Sequence, residues 1–432
     1  MRFDLLVKGG HVVDPANNYH GQLDVAIRAG RVAAVDAAIP VNAAFEVIDA
    51  TGQYVTPGLV DLHTHVYREV TFWGIDADAT AWRTGVSTWL DAGSSGAFTL
   101  PGFHEFVVKS ANVRIFALLN ISSIGLVAET YELSILAYCD VDLCIKLASR
   151  YPELVRGIKV RIDRATVGEN GLEPLWRARR AADECELPLM VHIGYGPPKI
   201  EDVLELMRPG DILTHCSTGL TMRIVDGSGQ VLEAAKRARD AGIIMDVGHG
   251  SGSLSFETAE ALFEADFKPD VISSDIHQLS IHGPMFDLPT CLSKFLYLGM
   301  SFGEAIKAAS SRPAEILGLT SELGSLKPGS YADLALFTIE HGRFPLYDVH
   351  LNLREGTEMV RNTLTLVNGR PLPAKVPKPP PPWIKLTERQ QEINTALRQR
   401  LSTPPAVCLK EPEHFGEAMP TEWKEEARDA GT

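Results

Sequence analysis

The sequence predicts an α/β fold, a (β/α)8 TIM barrel with a small β-sandwich domain built from both chain ends. Three observations point there. Between about residues 57 and 320, a short apolar run, a polar or glycine loop and a helix-like stretch recur eight times. Strands alternating with helices imply parallel βαβ units, and eight units over roughly 250 residues match the size of a closed barrel. Both ends of the chain have a different texture, apolar and polar residues alternating between glycine turns.

The eight runs are GLVDLHTH (58–65), VSTWLDAG (86–93), RIFALLNIS (114–122), VRGIKVRID (155–163), LPLMVHIG (187–194), DILTHCS (211–217), GIIMDVGHG (242–250) and PDVISSDIH (269–277). Segments such as 175–186, 231–241 and 257–265 supply the helices between them. A doubly wound open sheet is the competing architecture, but the polar residues do not collect at one switch point. Residues 1–56 read as short antiparallel strands, and the same texture returns at 321–375, so the two pieces are expected to pair into one small domain. From 376 to 432 runs a tail that opens with PKPPPPW, an extended polyproline segment, followed by one helix over 386–401. The tail is either packed on the body or an oligomer arm, and a homo-oligomer is expected.

Composition narrows the partners. A formal net charge of -14 argues against nucleic acid and anionic membranes, which would want a basic patch. No apolar run approaches the ~20 residues needed to span a bilayer, and Met1–Gly10 lacks the form of a signal peptide. The six cysteines (Cys139, Cys144, Cys185, Cys216, Cys291, Cys408) contain no CxxC pair and read as buried thiols of a cytoplasmic protein.

The chemistry concentrates at strand ends. His63 and His65 are two apart on a predicted strand, so their side chains share a face, at the C-terminal end where barrel active sites are built. Lys159 on the fourth run, His192 on the fifth, His215 on the sixth and Asp275 on the eighth take equivalent positions. A lone buried histidine is more often a satisfied core residue than a ligand. Four of them meeting a carboxylate at one mouth is different, because a fold would otherwise desolvate several titratable groups together without partners.

The order HxH, Lys, His, His, Asp on strands one, four, five, six and eight resembles the amidohydrolase superfamily with a binuclear metal site. Dihydroorotases, dihydropyrimidinases and a group of prokaryotic deacetylase-like enzymes share it. The blocks PGLVDLHTH, GIKVRID, VHIG, THCSTG, DVGHG and SSDIH look most like that last group, over about residues 1–370. The resemblance implies that Lys159 is carboxylated by CO2, since a free ammonium beside two dications is repelled whereas a carbamate is an anionic bridging ligand. It implies that His63, His65 and Asp275 bind the more buried metal, and His192 and His215 the more exposed one. Histidine with oxygen ligands suits zinc, with manganese, cobalt or iron as alternatives. Two cations about 3.5–4 Å apart would bridge a water and lower its pKa, and the hydroxide would attack a polarised carbonyl. Asp275 would serve as general base, then acid. The expected reaction is hydrolysis of a C–N amide, cyclic or N-acyl, or of a related acyl ester.

Four further residues are candidates for substrate contact. Arg161 shares the face of Lys159, where a guanidinium can grip the carboxylate of a small-molecule substrate or pair with a loop acid. His249 ends the seventh run, His277 is two past Asp275, and Tyr195 follows His192 in the GYGPP loop. Asp91 is read as a turn residue and Trp73 as core packing with a pocket role open to it. Two other readings stand beside the first: a mononuclear deaminase, which the strand-four lysine speaks against, and a non-enzymatic dihydropyrimidinase-like scaffold, which would have lost ligands.

Overall fold

A computed structural model describes residues 2–401 and 412. Cys408 and His414 lie outside the described residues. The first part of the chain supplies β1 (Phe3–Asp14), β2 (Tyr19–Arg28), β3 (Arg31–Asp36), β4 (Ala44–Asp49) and β5 (Tyr54–Pro57). Next come β6 (Leu59–Thr64), β7 (Val86–Gly96), β8 (Arg114–Asn120), β9 (Val155–Ile162), β10 (Leu189–Ile193), β11 (Ile212–Thr214) and β12 (Ile244–Asp246), and then β13 (Leu334–Tyr347), β14 (Leu353–Val367) and β15 (Arg370–Pro371).

β6 to β12 form one parallel sheet in chain order, with helices such as Glu173–Cys185, Glu233–Asp240 and Phe256–Glu264 between strands. Its inner face is filled by Val60, Leu62, Leu90, Ala92, Leu118, Met190, Ile212, Ile244 and Val271, one or two from every run except the fourth. Such layers of branched side chains are what a curled parallel sheet needs to close its interior. The outer face packs through Trp89, Ile158, Val160 and their neighbours on the helices, which contribute residues such as Phe103.

The eighth run is not a regular strand. Residues 269–277 touch both sheet edges only through isolated bridges, Val271 to Asp246 and Ile276 to Thr64. Val247 and His249 donate to the carbonyls of Val271 and Ser273, and on the other side Asp275 N donates to His63 O at 2.7 Å. The pleat breaks because Ser273 and Ser274 turn their hydroxyls to Asp246 and Asp61, and Asp275 adopts a left-handed backbone with φ 47°. The sixth and seventh runs are likewise regular for three residues each. His215, at φ 72°, and His249 therefore sit on loops beyond β11 and β12.

The two ends of the chain do pair. They make a single hydrogen-bonded sheet of eight strands, ordered β15-β14-β13-β5-β1-β2-β3, with β4 also paired to β1. It is not uniformly antiparallel as its alternation suggested: β4 and β5 both run parallel to β1, since the chain crosses over between β3 and β4. Leu5, Val7, Val25 and Ile27 share a core with Leu334, Leu336, Leu364 and Leu366. The β13–β14 hairpin is longer than its sequence signal, reaching the helix Leu288–Tyr297 through the bond from Val360 N to Ser293 Oγ. The tail helix spans Glu388–Leu401 and lies against Ser280–His282 of the same chain. Among the described residues no helix is long and apolar enough to cross a membrane. Cys139, Cys144, Cys216 and Cys291 are buried free thiols, as expected, whereas Cys185 is half-buried at the end of its helix.

Candidate metal centre

The curled sheet brings all six proposed ligands to one end. Asp275 Oδ1 lies 3.4 Å from His63 Nε2 and 3.2 Å from His65 Nε2. Lys159 Nζ is 3.4 Å from His63 Nε2. His192 Nδ1 and His215 Nε2 are 2.8 Å apart, and the rings of His63 and His215 are 5.1 Å apart. Ligands about 2.0–2.2 Å from a tetrahedral zinc stand roughly 3.4 Å from one another, so the spacing around Asp275 fits a cation. One donor atom each from His63, His65 and Asp275 falls within 4.8 Å of the others.

The surrounding hydrogen bonds fix which nitrogen each ring presents. Thr214 Oγ1 donates to Asp246 Oδ2 at 2.7 Å and so accepts from His63 Nδ1 at 2.8 Å. The proton therefore sits on Nδ1 and the Nε2 lone pair faces Asp275. His215 Nδ1 donates to the carbonyl of Gly248 at 2.7 Å, which frees its Nε2 in the same way. His65 Nδ1 meets Ser94 Oγ at 2.9 Å. Asp91, fully buried, accepts from Val66 N and Ser94 N and so anchors the loop that carries His65. Burial holds the imidazoles of His63 and His192 well below their ordinary pKa and lowers His65 to about 3 and His215 to about 4. All four are neutral at pH 7, the form in which histidine ligates.

Two glycines make the close approach possible. A Cβ on Gly250 (φ 54°) would stand 2.3 Å from Asp275 Oδ2, and one on Gly93 (φ 85°) 2.6 Å from Lys159 Cγ. Lys159 itself is fully buried, with the sulphur of Met190 at 3.2 Å. No carboxylate lies within ion-pair distance of it among the described residues.

Above these groups opens a cleft of about 170 Å³ lined by Trp73, Arg161, Leu220, Ser251, Ser253 and His277 as well as the ligand candidates. Arg161 is held by Glu132, with Nε 2.7 Å from Oε1, and its Nη2 also donates to Glu129 O at 3.3 Å. His277 packs edge-on against Trp73 at 4.7 Å, and its Nδ1 accepts from Leu279 N, leaving Nε2 3.4 Å from Ser251 Oγ. The other two substrate candidates stand elsewhere. The His249 ring is fully buried outside the cleft, donating from Nδ1 to Gly250 O and accepting at Nε2 from Lys294 Nζ at 2.7 Å. Lys294 also donates to the carbonyls of Pro284 and Tyr347, tying the cleft loop to the β13–β14 hairpin. Tyr195 is more than half exposed and donates its backbone N–H to Asp163.

Sequence reasoning missed Thr214, Ser94, Asp246 and Glu132, and it took Asp91 for a turn residue. A period-two reading from Ile212 on run six turns Thr214 inward, with His215 brought beside it only by its left-handed backbone, and the same reading from Ile244 turns Asp246 inward on run seven. Glu132 sits in the irregular loop after β8, where no pattern marks it.

The Amidohydrolase family model matches residues 54–370. The chain belongs to the amidohydrolase family. A deacetylase from Enterococcus faecalis is 34% identical over 373 residues, which cover 86% of this chain and 99% of that protein. A deacetylase from Agrobacterium fabrum is 35% identical over 312 residues, 72% of this chain and 76% of that one. Among solved structures, an adenine deaminase matches with TM-score 0.80 and 34% identity over 85% of this chain and 99% of that one. A dihydroorotase matches with TM-score 0.80 and 30% identity over 87% of this chain and 99% of that one. As an amidohydrolase, the chain is a metal-dependent hydrolytic enzyme that acts on C–N bonds.

Proposed function

We propose that this amidohydrolase cleaves an amide, cyclic or N-acyl, or a related acyl ester of a small molecule, inside a (β/α)8 barrel spanning 57–320. Residues 1–56 and 321–375 form its small β-domain and 376–432 its tail. The observation that carries the reading is the convergence of His63 Nε2, His65 Nε2 and Asp275 Oδ1, each ring turned outward-in by a bond on its other nitrogen. His63, His65 and Asp275 would hold one divalent metal, and His192 and His215 a second, zinc being the best match to nitrogen and oxygen donors. Such metals, when bound, lower the pKa of water and polarise a carbonyl.

Lys159 is proposed to carry a CO2-derived carbamate shared between the two positions. A buried amine with no carboxylate partner has no stable use for its charge, and burial lowers its pKa to about 7, leaving a lone pair to add CO2. Asp275 is the group that takes a proton from the attacking water and returns it to the leaving nitrogen or oxygen. Burial raises the pKa of its carboxyl, which makes it a better proton acceptor than an exposed aspartate. Arg161 presents its guanidinium to a substrate carboxylate, with Glu132 fixing the far edge, and His277 and Trp73 wall the cleft.

The deaminase reading keeps one support, the adenine deaminase structure at 34% identity. Metal-loaded protein separates the two when screened against N-acyl amino acids, O-acetyl hydroxy acids, hydantoins, lactams and adenine. Turnover of an acyl compound or cyclic amide is expected. Turnover of adenine alone would move the assignment to the second reading.

A further inference from the structure

The loop that puts Trp73 into the cleft is pinned from outside by the C-terminal tail. The loop follows β6 and runs irregularly from Val66 to Ala77. On its inner side it is held by Gln278, whose N–H donates to Trp73 O at 2.9 Å and whose amide donates to Gly74 O at 2.7 Å. On its outer side it carries Glu69 and Asp76, and Asp78 follows it. Arg68 alone among the loop's own cations stands near them. The balance comes from the tail: Lys375 Nζ is 2.9 Å from Asp76 Oδ2 and 3.8 Å from Asp78 Oδ2, and Lys378 Nζ is 2.9 Å from Glu69 Oε1. Trp383 Nε1 reaches Phe72 O at 3.4 Å, and Ile384 is buried. Pro377 and Pro380 face Arg68, Ile75 and Asp76 across a small cleft whose other side is Ile281 and His282, so the tail spans both the Trp73 loop and the segment after His277.

We propose that residues 375–384 are a specificity-determining strap of this enzyme, with Lys375 and Lys378 holding the Trp73 loop against His277 and so setting the width of the substrate cleft. A single exposed ion pair contributes little, but three acids and three cations sharing one patch act as a network, and the proline run at 379–382 fixes the spacing between Lys378 and Trp383. The family match ends at residue 370, before the strap, and the alignment to the Enterococcus faecalis deacetylase takes in 99% of that protein but 86% of this chain. The strap thus lies beyond the residues that the family model matches, and it touches the cleft loop and not the six ligand candidates. It rests on the hydrolase reading only for the word substrate; the contact itself does not.

The test is charge reversal in the full-length, metal-loaded protein. In K375E/K378E both lysines become acids facing Glu69, Asp76 and Asp78. Hydrogen exchange at residues 66–77 is expected to rise about tenfold, as for a loop released from its tertiary contacts. KM across a series of N-acetyl amino acids is expected to rise about five- to tenfold with kcat and metal content held, the size of losing two weak ion pairs. The neutral variant K375Q/K378Q, which adds no repulsion, is expected to show a smaller rise in both, and 0.5 M salt to mimic it in the unaltered protein. Unchanged exchange at 66–77 would overturn the strap. So would faster exchange with KM and acyl preference unchanged, or a fall in kcat and metal content without a KM effect. If the unaltered protein hydrolyses no acyl compound, the hydrolase reading fails while exchange still decides the contact.

Discussion

His63 Nδ1 and Thr214 Oγ1 lie 2.8 Å apart, and the same hydroxyl donates to Asp246 Oδ2. One threonine on β11 therefore sets the tautomer and tilt of a proposed metal ligand on β6, from across the barrel. Thr214→Val keeps the shape and removes the hydroxyl, leaving Nδ1–H buried without its acceptor. Metal affinity, read by competition with a chelator, is expected to fall about 10- to 100-fold, as when other outer hydrogen-bond partners of ligands are lost. An unchanged affinity would show that Thr214 does not orient His63.

Gly250 tests the packing on the other side of the centre. Gly250→Ala forces a Cβ to within 2.3 Å of Asp275 Oδ2 at a backbone angle alanine resists. Displacing a proton-transfer group by about 1 Å costs about a hundredfold in rate, so kcat is expected to drop by that order while the chain stays folded. Steady-state kinetics and thermal unfolding on the same preparation check both halves.

Arg161 and Glu132 are expected to act on binding. Arg161→Met should raise KM about 10- to 100-fold for substrates with a carboxylate, the worth of a charge-assisted hydrogen bond, and leave neutral substrates unaffected. Glu132→Gln should show a smaller rise, because Arg161 keeps its charge and loses its anchor. Equal effects on charged and neutral substrates would remove the assigned role.

Sensitivity to acid has a separate source away from the centre. Burial lowers the His282 imidazole to about 4, with Arg398 adding to the shift. The unfolded chain takes up that proton near the ordinary 6.5, so between about 6.5 and 4 it binds more protons than the folded chain, and stability falls as pH falls through that window. His282→Asn is expected to flatten this part of the stability profile, measured by urea unfolding from pH 7.5 to 4.5. An identical slope in the variant would contradict the assignment.

How much of this was legible beforehand follows physical lines. Lys159, His192 and His63 were readable because strand periodicity is local: a residue two places from another on a pleated strand shares its face. The eighth run was legible as an apolar segment but not as an irregular one, since what breaks its pleat is the pull of Asp61 and Asp246, distant in sequence, on Ser274 and Ser273. Glu132 and the lysines of the strap escaped for the same reason. Each is a charged residue in a loop or tail whose partner lies tens or hundreds of positions away, and no local pattern records such a pairing. His249 illustrates the converse. Its place after run seven suggested the cleft, yet Lys294 from a later helix draws its ring into the protein instead.

The most direct measurement is the metal content of the protein as purified and of Lys159→Ala, each with activity. About two divalent metals per chain are expected in the unaltered protein, the count of a two-metal hydrolytic site. The variant is expected to lose metal and activity, with partial return when a short-chain carboxylic acid and metal are supplied. One metal or none in the active unaltered protein, or full metal and activity in Lys159→Ala, would contradict the two-metal, carbamate-bridged centre.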